Sequence, residues 1–211
     1  MSEPQLPHAL MRVLSSLAEW FRNQHVPYAI IEGAAISFLA QPRATQDIDA
    51  VTWLDLEDTA GFAKSGAGFG FFPRISDPIE FALKSRMLLL QHNQTKIDVD
   101  ISLGALPFER EMIERATEFT TPELTVQIAT PEDLIITKAV AHRKRDLLDI
   151  DNLASVYLNL DLARIRHWVG QFAAVLESPE LVSDLENLLE NRRSSSNMRA
   201  VNDVITFYTS D

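Results

Sequence analysis

The chain contains no cysteine. Disulfides, thiolate zinc sites and cysteine nucleophiles are excluded together. Glycine is scarce, seven in 211 residues, and none of them belongs to a P-loop or a G-x-S-x-G elbow. Gly66-Ala67-Gly68-Phe69-Gly70 has the look of a dinucleotide loop but lacks the preceding strand and the correctly placed third glycine. There is no H-E-x-x-H, and the histidines at 8, 25, 92, 142 and 167 share no metal-ligand spacing. No stretch approaches the roughly 20 apolar residues of a membrane span, and Met1-Ser2-Glu3-Pro4 is no positively charged leader. A cytoplasmic protein without a membrane partner is expected. Positive charge is also in deficit: 19 Lys and Arg against 30 Asp and Glu give a net charge of −11. That argues against a broad nucleic-acid-binding surface but leaves room for a small basic pocket.

What is present is a core-forming composition, 46% hydrophobic, on a chain long enough for one α/β domain with a helical extension. Leu10, Val13, Leu14, Leu17 and Phe21 recur at helical spacing over residues 7–24. Pro27 stops that helix, and Tyr28-Ala29-Ile30-Ile31 reads as a buried strand. Gly33 permits a tight turn into a second helix, Ala34 to Leu39. Asp47 to Trp53 alternates charged and apolar residues and reads as a strand. Residues 55–65 read as helix. Arg86 to Gln91 and Lys96 to Ser102 read as a hairpin, Pro107 opens a helix, and Leu124 to Ile128 is a strand. Thr130-Pro131-Glu132-Asp133 is a strong helix start. Helices are expected at 131–142, 145–157, 161–175, 178–191 and 197–208. The plan is an α/β (α+β) mixed sheet flanked by helices, residues 1–150, followed by a helical extension, residues 151–211.

The chemistry lies in the alternation. Asp47 and Asp49 are two apart on a strand, so both side chains point to one face, with Cα atoms roughly 6–7 Å apart. Paired carboxylates repel unless a cation lies between them, and a divalent ion with oxygen ligands suits them. Lys96-Ile97-Asp98-Val99-Asp100-Ile101 repeats the pattern. If the two strands are neighbours, Asp98 or Asp100 completes a three-carboxylate cluster able to hold two Mg²⁺ ions about 3.5–4 Å apart. Either pair alone is more simply the solvent face of an amphipathic strand. Asp is disfavoured in strands, so two such strands in one small domain favour a site. The turn at Glu32-Gly33 would offer backbone N–H groups to a triphosphate. Arg43 and Thr45, on the loop before the Asp pair, either position phosphate or the metal ligands or belong to a merely structural loop. Lys138, His142, Arg145 and Asp149 step by four, three and four, so they share a face if their helix is continuous. Lys138 and Arg145 could then contact a triphosphate, with Asp149 orienting them.

Tyr28-Ala29-Ile30-Ile31-Glu32-Gly33-Ala34-Ala35 followed by Arg43-Ala44-Thr45-Gln46-Asp47-Ile48-Asp49 resembles the nucleotidyltransferase signature, and more narrowly the AbiEii-like toxin nucleotidyltransferases. Those typically carry Gly-Gly-x-Ala and then Arg-x-Thr-x-Asp-h-Asp. Asp100-Ile101-Ser102 with Pro107-Phe108-Glu109 resembles the third-carboxylate strand and the helix after it, and this spacing prefers Asp100 over Asp98. Pro131-Glu132-Asp133-Leu134, Lys138, Arg143, Asp146 and Asp149 resemble the downstream helix region. The likeness covers about residues 26–152, and one position departs: the first glycine of the pair is Glu32 here. The resemblance implies a polymerase-β-like fold, Mg²⁺, and transfer of a nucleotidyl group from an NTP to an RNA such as tRNA, a protein or a small molecule. It also implies a place in a toxin–antitoxin pair, with a cognate antitoxin or toxin as partner. Asp47, Asp49 and Asp100 would be the catalytic and metal-binding residues; Gly33, Arg43, Thr45, Lys138, Arg145 and Asp149 would hold the nucleotide. The competing readings are a degenerate transferase domain acting as a binding partner or antitoxin, and a phosphodiesterase using the same acids.

Overall fold

The structure, a computed structural model, describes residues 7–40 and 45–190. The chain divides into two compact units at Thr130–Pro131. The boundary expected at residue 150 lies within a helix of the second unit.

The first unit is a seven-stranded mixed sheet with helices. Its strands are β1 (Tyr28–Ile31), β2 (Asp47–Thr52), β3 (Phe71–Pro73), β4 (Met87–His92), β5 (Asp98–Leu103), β6 (Thr117–Thr121) and β7 (Leu124–Ile128). They lie in the order β3-β4-β5-β2-β1-β7-β6. The helices are α1 (His8–Gln24), α2 (Glu32–Leu39), α3 (Thr59–Ser65), α4 (Pro78–Ser85) and α5 (Pro107–Arg115). The apolar stripe read from the sequence is the buried face of α1, where Leu10, Val13, Leu14, Leu17, Trp20 and Phe21 are inaccessible. Trp20 stacks on Phe62 at 4.3 Å between ring centroids and on Phe71 at 5.4 Å, and its indole N–H donates to Ser65 Oγ at 2.8 Å. Gly66 makes this possible, since a Cβ there would lie 2.8 Å from the Trp20 ring. The glycine-rich segment is therefore a packing device under Trp20.

The central strands set the site. β1 runs antiparallel to β2, with Ile31 opposite Asp49. β2 runs parallel to β5, with Asp47 beside Asp98 and Asp49 beside Asp100. β4 and β5 form the expected hairpin. The inward residues Ile48, Ala50, Val99 and Ile101 are buried, which fixes the register, because a slip of one residue would bury the acids instead.

The second unit comprises α6 (Pro131–Ala141), α7 (Lys144–Val156), α8 (Leu162–Val175) and the helical residues 180–190. The expected shared face from Lys138 to Asp149 required one continuous helix. The chain instead breaks after α6: His142 adopts φ 52°, and α7 starts afresh at Lys144. Asp146 caps the new helix by accepting from the Arg143 backbone N–H at 3.1 Å. The expected helix 197–208 and the Arg43 part of the site lie outside the described residues.

Candidate active site

Four carboxylates share one face of the sheet. Asp47 and Asp49 on β2, and Asp98 and Asp100 on β5, stand in register on neighbouring strands, which lie about 4.8 Å apart. Asp47 is exposed and Asp49 half-buried. Thr45 Oγ1 donates to Asp47 Oδ1 at 3.2 Å.

One guanidinium meets the two acids of β5. Arg74 Nη1 donates to Asp98 Oδ2 at 2.8 Å, and its Nη2 pairs with Asp100 Oδ1. Gln91, opposite Asp98 on β4, donates from Nε2 to Asp98 Oδ1 at 3.0 Å. Burial pushes the Asp100 carboxyl above its usual range. Arg74 pulls it down and Asp98 and Asp47 push it up, leaving it raised.

The turn after β1 is now visible. Ile31 is extended, and Glu32 enters α2 at φ 54°, the left-handed region that glycine occupies without cost. A non-glycine residue there is strained by roughly 1–2 kcal/mol. Gly33 lies in the first turn of α2, two residues after Ile31, which pairs with Asp49, where helix N–H groups and the helix dipole favour an anion.

The remaining candidates lie in the helical unit. Lys138 is fully buried, 3.0 Å from Asp146 Oδ1 and 3.5 Å from Asp149 Oδ2. The expected Lys138–Asp149 ion pair is thus present. Arg143 adds bonds from Nε to Asp146 Oδ2 at 2.6 Å and from Nη2 to Oδ1 at 3.1 Å. Burial alone would raise the Asp146 carboxyl; these hydrogen bonds and the Lys138 charge outweigh it and hold it at about 2. Arg145 is exposed. Arg74 and Gln91 went unnoticed in the sequence, because neither stands in a motif and each meets the acids only through strand pairing.

A family model described as "Nucleotidyl transferase AbiEii toxin, Type IV TA system" matches residues 33–202. The chain belongs to this nucleotidyltransferase family. Among solved structures, an antigenic nucleotidyltransferase-like protein from Paracoccidioides brasiliensis is similar in fold: the TM-score is 0.54 at 18% identity, over 84% of this chain and 92% of that one. The lincosamide antibiotic adenylyltransferase LnuA, solved with lincomycin bound, gives a TM-score of 0.49 at 16% identity, over 72% of this chain and 98% of that one. Comparison with curated proteins gives no match. Among the described residues no helix is long and apolar enough to cross a membrane.

The donor chemistry suits Mg²⁺, since all four side chains offer hard carboxylate oxygens. Among the described residues no three acids or histidines are gathered closely enough to hold an ion.

Proposed function

We propose that the protein is a Mg²⁺-dependent nucleotidyltransferase that moves an NMP from an NTP to an acceptor hydroxyl on an RNA, a protein or a small molecule. We assign it the toxin role in a toxin–antitoxin pair, with a cognate antitoxin as partner, acting in the cytoplasm. The observation that carries the transfer reading is the register of β2 and β5, which sets Asp47, Asp49, Asp98 and Asp100 on one face beside the α2 turn.

In this reading Asp47, Asp49 and Asp100 would hold two Mg²⁺ ions, whose chemistry there would be charge neutralisation at the triphosphate and the attacking oxygen. The acceptor oxygen forms a bond to the α-phosphorus, the bond from that phosphorus to the bridging oxygen breaks, and pyrophosphate leaves. The proton of the acceptor hydroxyl is released to solvent. The Gly33 turn receives the triphosphate, Thr45 keeps Asp47 in position, and Arg43 belongs to the same loop. Roles for Lys138, Arg145 and Asp149 in holding the nucleotide are part of the proposal. Lys138 would act by fixing Asp146 and Asp149, and Arg145 by its exposed charge.

Incubation with Mg²⁺ and each NTP, across tRNA, protein and small-molecule acceptors, tests the reading. It expects pyrophosphate release that depends on one acceptor class. Absence of both NTP binding and pyrophosphate would sink it, and cleaved nucleic acid would support the phosphodiesterase alternative. A second reading, a degenerate domain working as a binding partner or antitoxin, draws on Glu32 at the strained turn and on the Arg74 pairing. It fails if Asp47→Asn abolishes the biological effect while the fold survives.

A further inference from the structure

We propose that Arg74 is a positioning residue that occupies the Asp100 ligand position until a divalent cation displaces it, and that Asp98 with Gln91 is its parking place. The inference rests on the metal-site reading above and concerns how that site is kept and filled.

The root of Arg74 is fixed. Its backbone N–H donates to Leu89 O at 3.1 Å, and Leu89 is the β4 residue directly opposite Asp100. The side chain then crosses β4 and ends on β5, with one nitrogen on each acid. A planar fork can serve two carboxylates at once, which an ammonium does poorly. The Arg74 side chain is 27% exposed, and those of Asp98 and Asp100 are 39% and 25% exposed, so solvent reaches the pairs and exchange is cheap.

The two acids are held unequally. Asp98 uses Oδ2 for Arg74 and Oδ1 for Gln91. Asp100 meets Arg74 through Oδ1 alone. Releasing Asp100 therefore costs one charged hydrogen bond, whereas recruiting Asp98 would break two. Like charges on one face repel, and the Arg74 guanidinium offsets two of them. When a divalent ion binds Asp47, Asp49 and Asp100, the guanidinium keeps Asp98. The same asymmetry favours Asp100 over Asp98 as the third ligand.

The test is Mn²⁺ binding, followed by electron paramagnetic resonance on the full chain without nucleotide, for the wild type, Arg74→Lys and Arg74→Gln. Displacement predicts that Arg74→Gln tightens Mn²⁺ binding about tenfold. Arg74→Lys keeps the charge but loses the fork, and should tighten it by an intermediate factor. If Arg74→Lys matches the wild type while Arg74→Gln tightens, only the general field is felt and the proposal is overturned. Equal or weaker binding in Arg74→Gln also overturns it, while leaving the metal site standing. If neither the wild type nor Arg74→Gln binds Mn²⁺, the metal-site reading falls and the proposal with it. A variant that misfolds is recognised by circular dichroism. The complementary substitution Asp98→Asn then decides: it frees Asp100 of a competitor for its guanidinium and should weaken Mn²⁺ binding. Unchanged or tighter binding in Asp98→Asn would contradict the parking role.

Discussion

Two concentrations of charge stand in this chain, and they are built on opposite principles. On β2 and β5, four carboxylates share a face and Arg74 is the guanidinium paired with two of them. The side chains it joins remain a quarter to two-fifths exposed. In α6 and α7, Lys138 and Asp146 are wholly inaccessible and Asp149 is 5% exposed, each acid within ion-pair distance of the lysine. Buried charge survives only when paired and hydrogen-bonded, so the second group is balanced by necessity. The first is partly open to solvent, and accessible carboxylate oxygens are what an added cation can reach. Sequence spacing alone treats both as sites; solvent access separates them.

The comparison breaks most sharply if substitutions in the two groups act alike. Asp47→Asn, on an exposed residue that keeps an acceptor for Thr45, should lower nucleotidyl transfer by about a thousandfold, near 4 kcal/mol in barrier. Its thermal midpoint should shift little, as kinetics and calorimetry on one preparation would show. Lys138→Ala should do the reverse and cost about 3 kcal/mol of stability, because it removes a buried cation shared by two buried carboxylates; urea unfolding measures this. If Lys138→Ala kept full stability but lost NTP binding, Lys138 would belong with the site rather than the scaffold.

Acid titration sharpens the contrast. Asp146 is held at about 2 against an ordinary 3.8. A depressed carboxyl stabilises the fold fully above its ordinary value. That contribution, about 2 kcal/mol, is eroded as pH drops below about 4 and is lost as pH falls through about 2. Asp146→Asn should flatten stability over that window, with unfolding followed as a function of pH. The smallest effect belongs to the α2 turn. Glu32→Gly relieves the left-handed strain, is expected to raise stability by no more than about 1 kcal/mol, and should tighten NTP binding by removing a carboxylate beside the phosphate turn. Weaker NTP binding in that variant would give Glu32 a binding role.

Much of this was legible in the residues. The D-h-D alternation of β2 and β5, the β4–β5 hairpin, the apolar stripe of α1 and the Thr130-Pro131 helix start all follow local patterns. The segment from Phe71 to Ser85 was not legible. β3 has three residues, and Phe72 and Phe81 are apolar yet exposed, so periodicity fails there. β6 is an edge strand with no buried residue, and carries no core signature. The break at His142 depends on a left-handed residue that no glycine announces. Arg74 owes its place to a strand pairing two strands away from the acid it meets, and that register exists only in the folded sheet.

The most direct measurement follows the α-phosphate. The protein is given Mg²⁺ with an NTP labelled at the α-position, then with one labelled at the γ-position, alongside Asp47→Asn. The account predicts α-label on an acceptor, γ-label released in pyrophosphate, and neither product from the variant. Transfer of the γ-label, or α-label transfer undiminished in a folded Asp47→Asn protein, would contradict it.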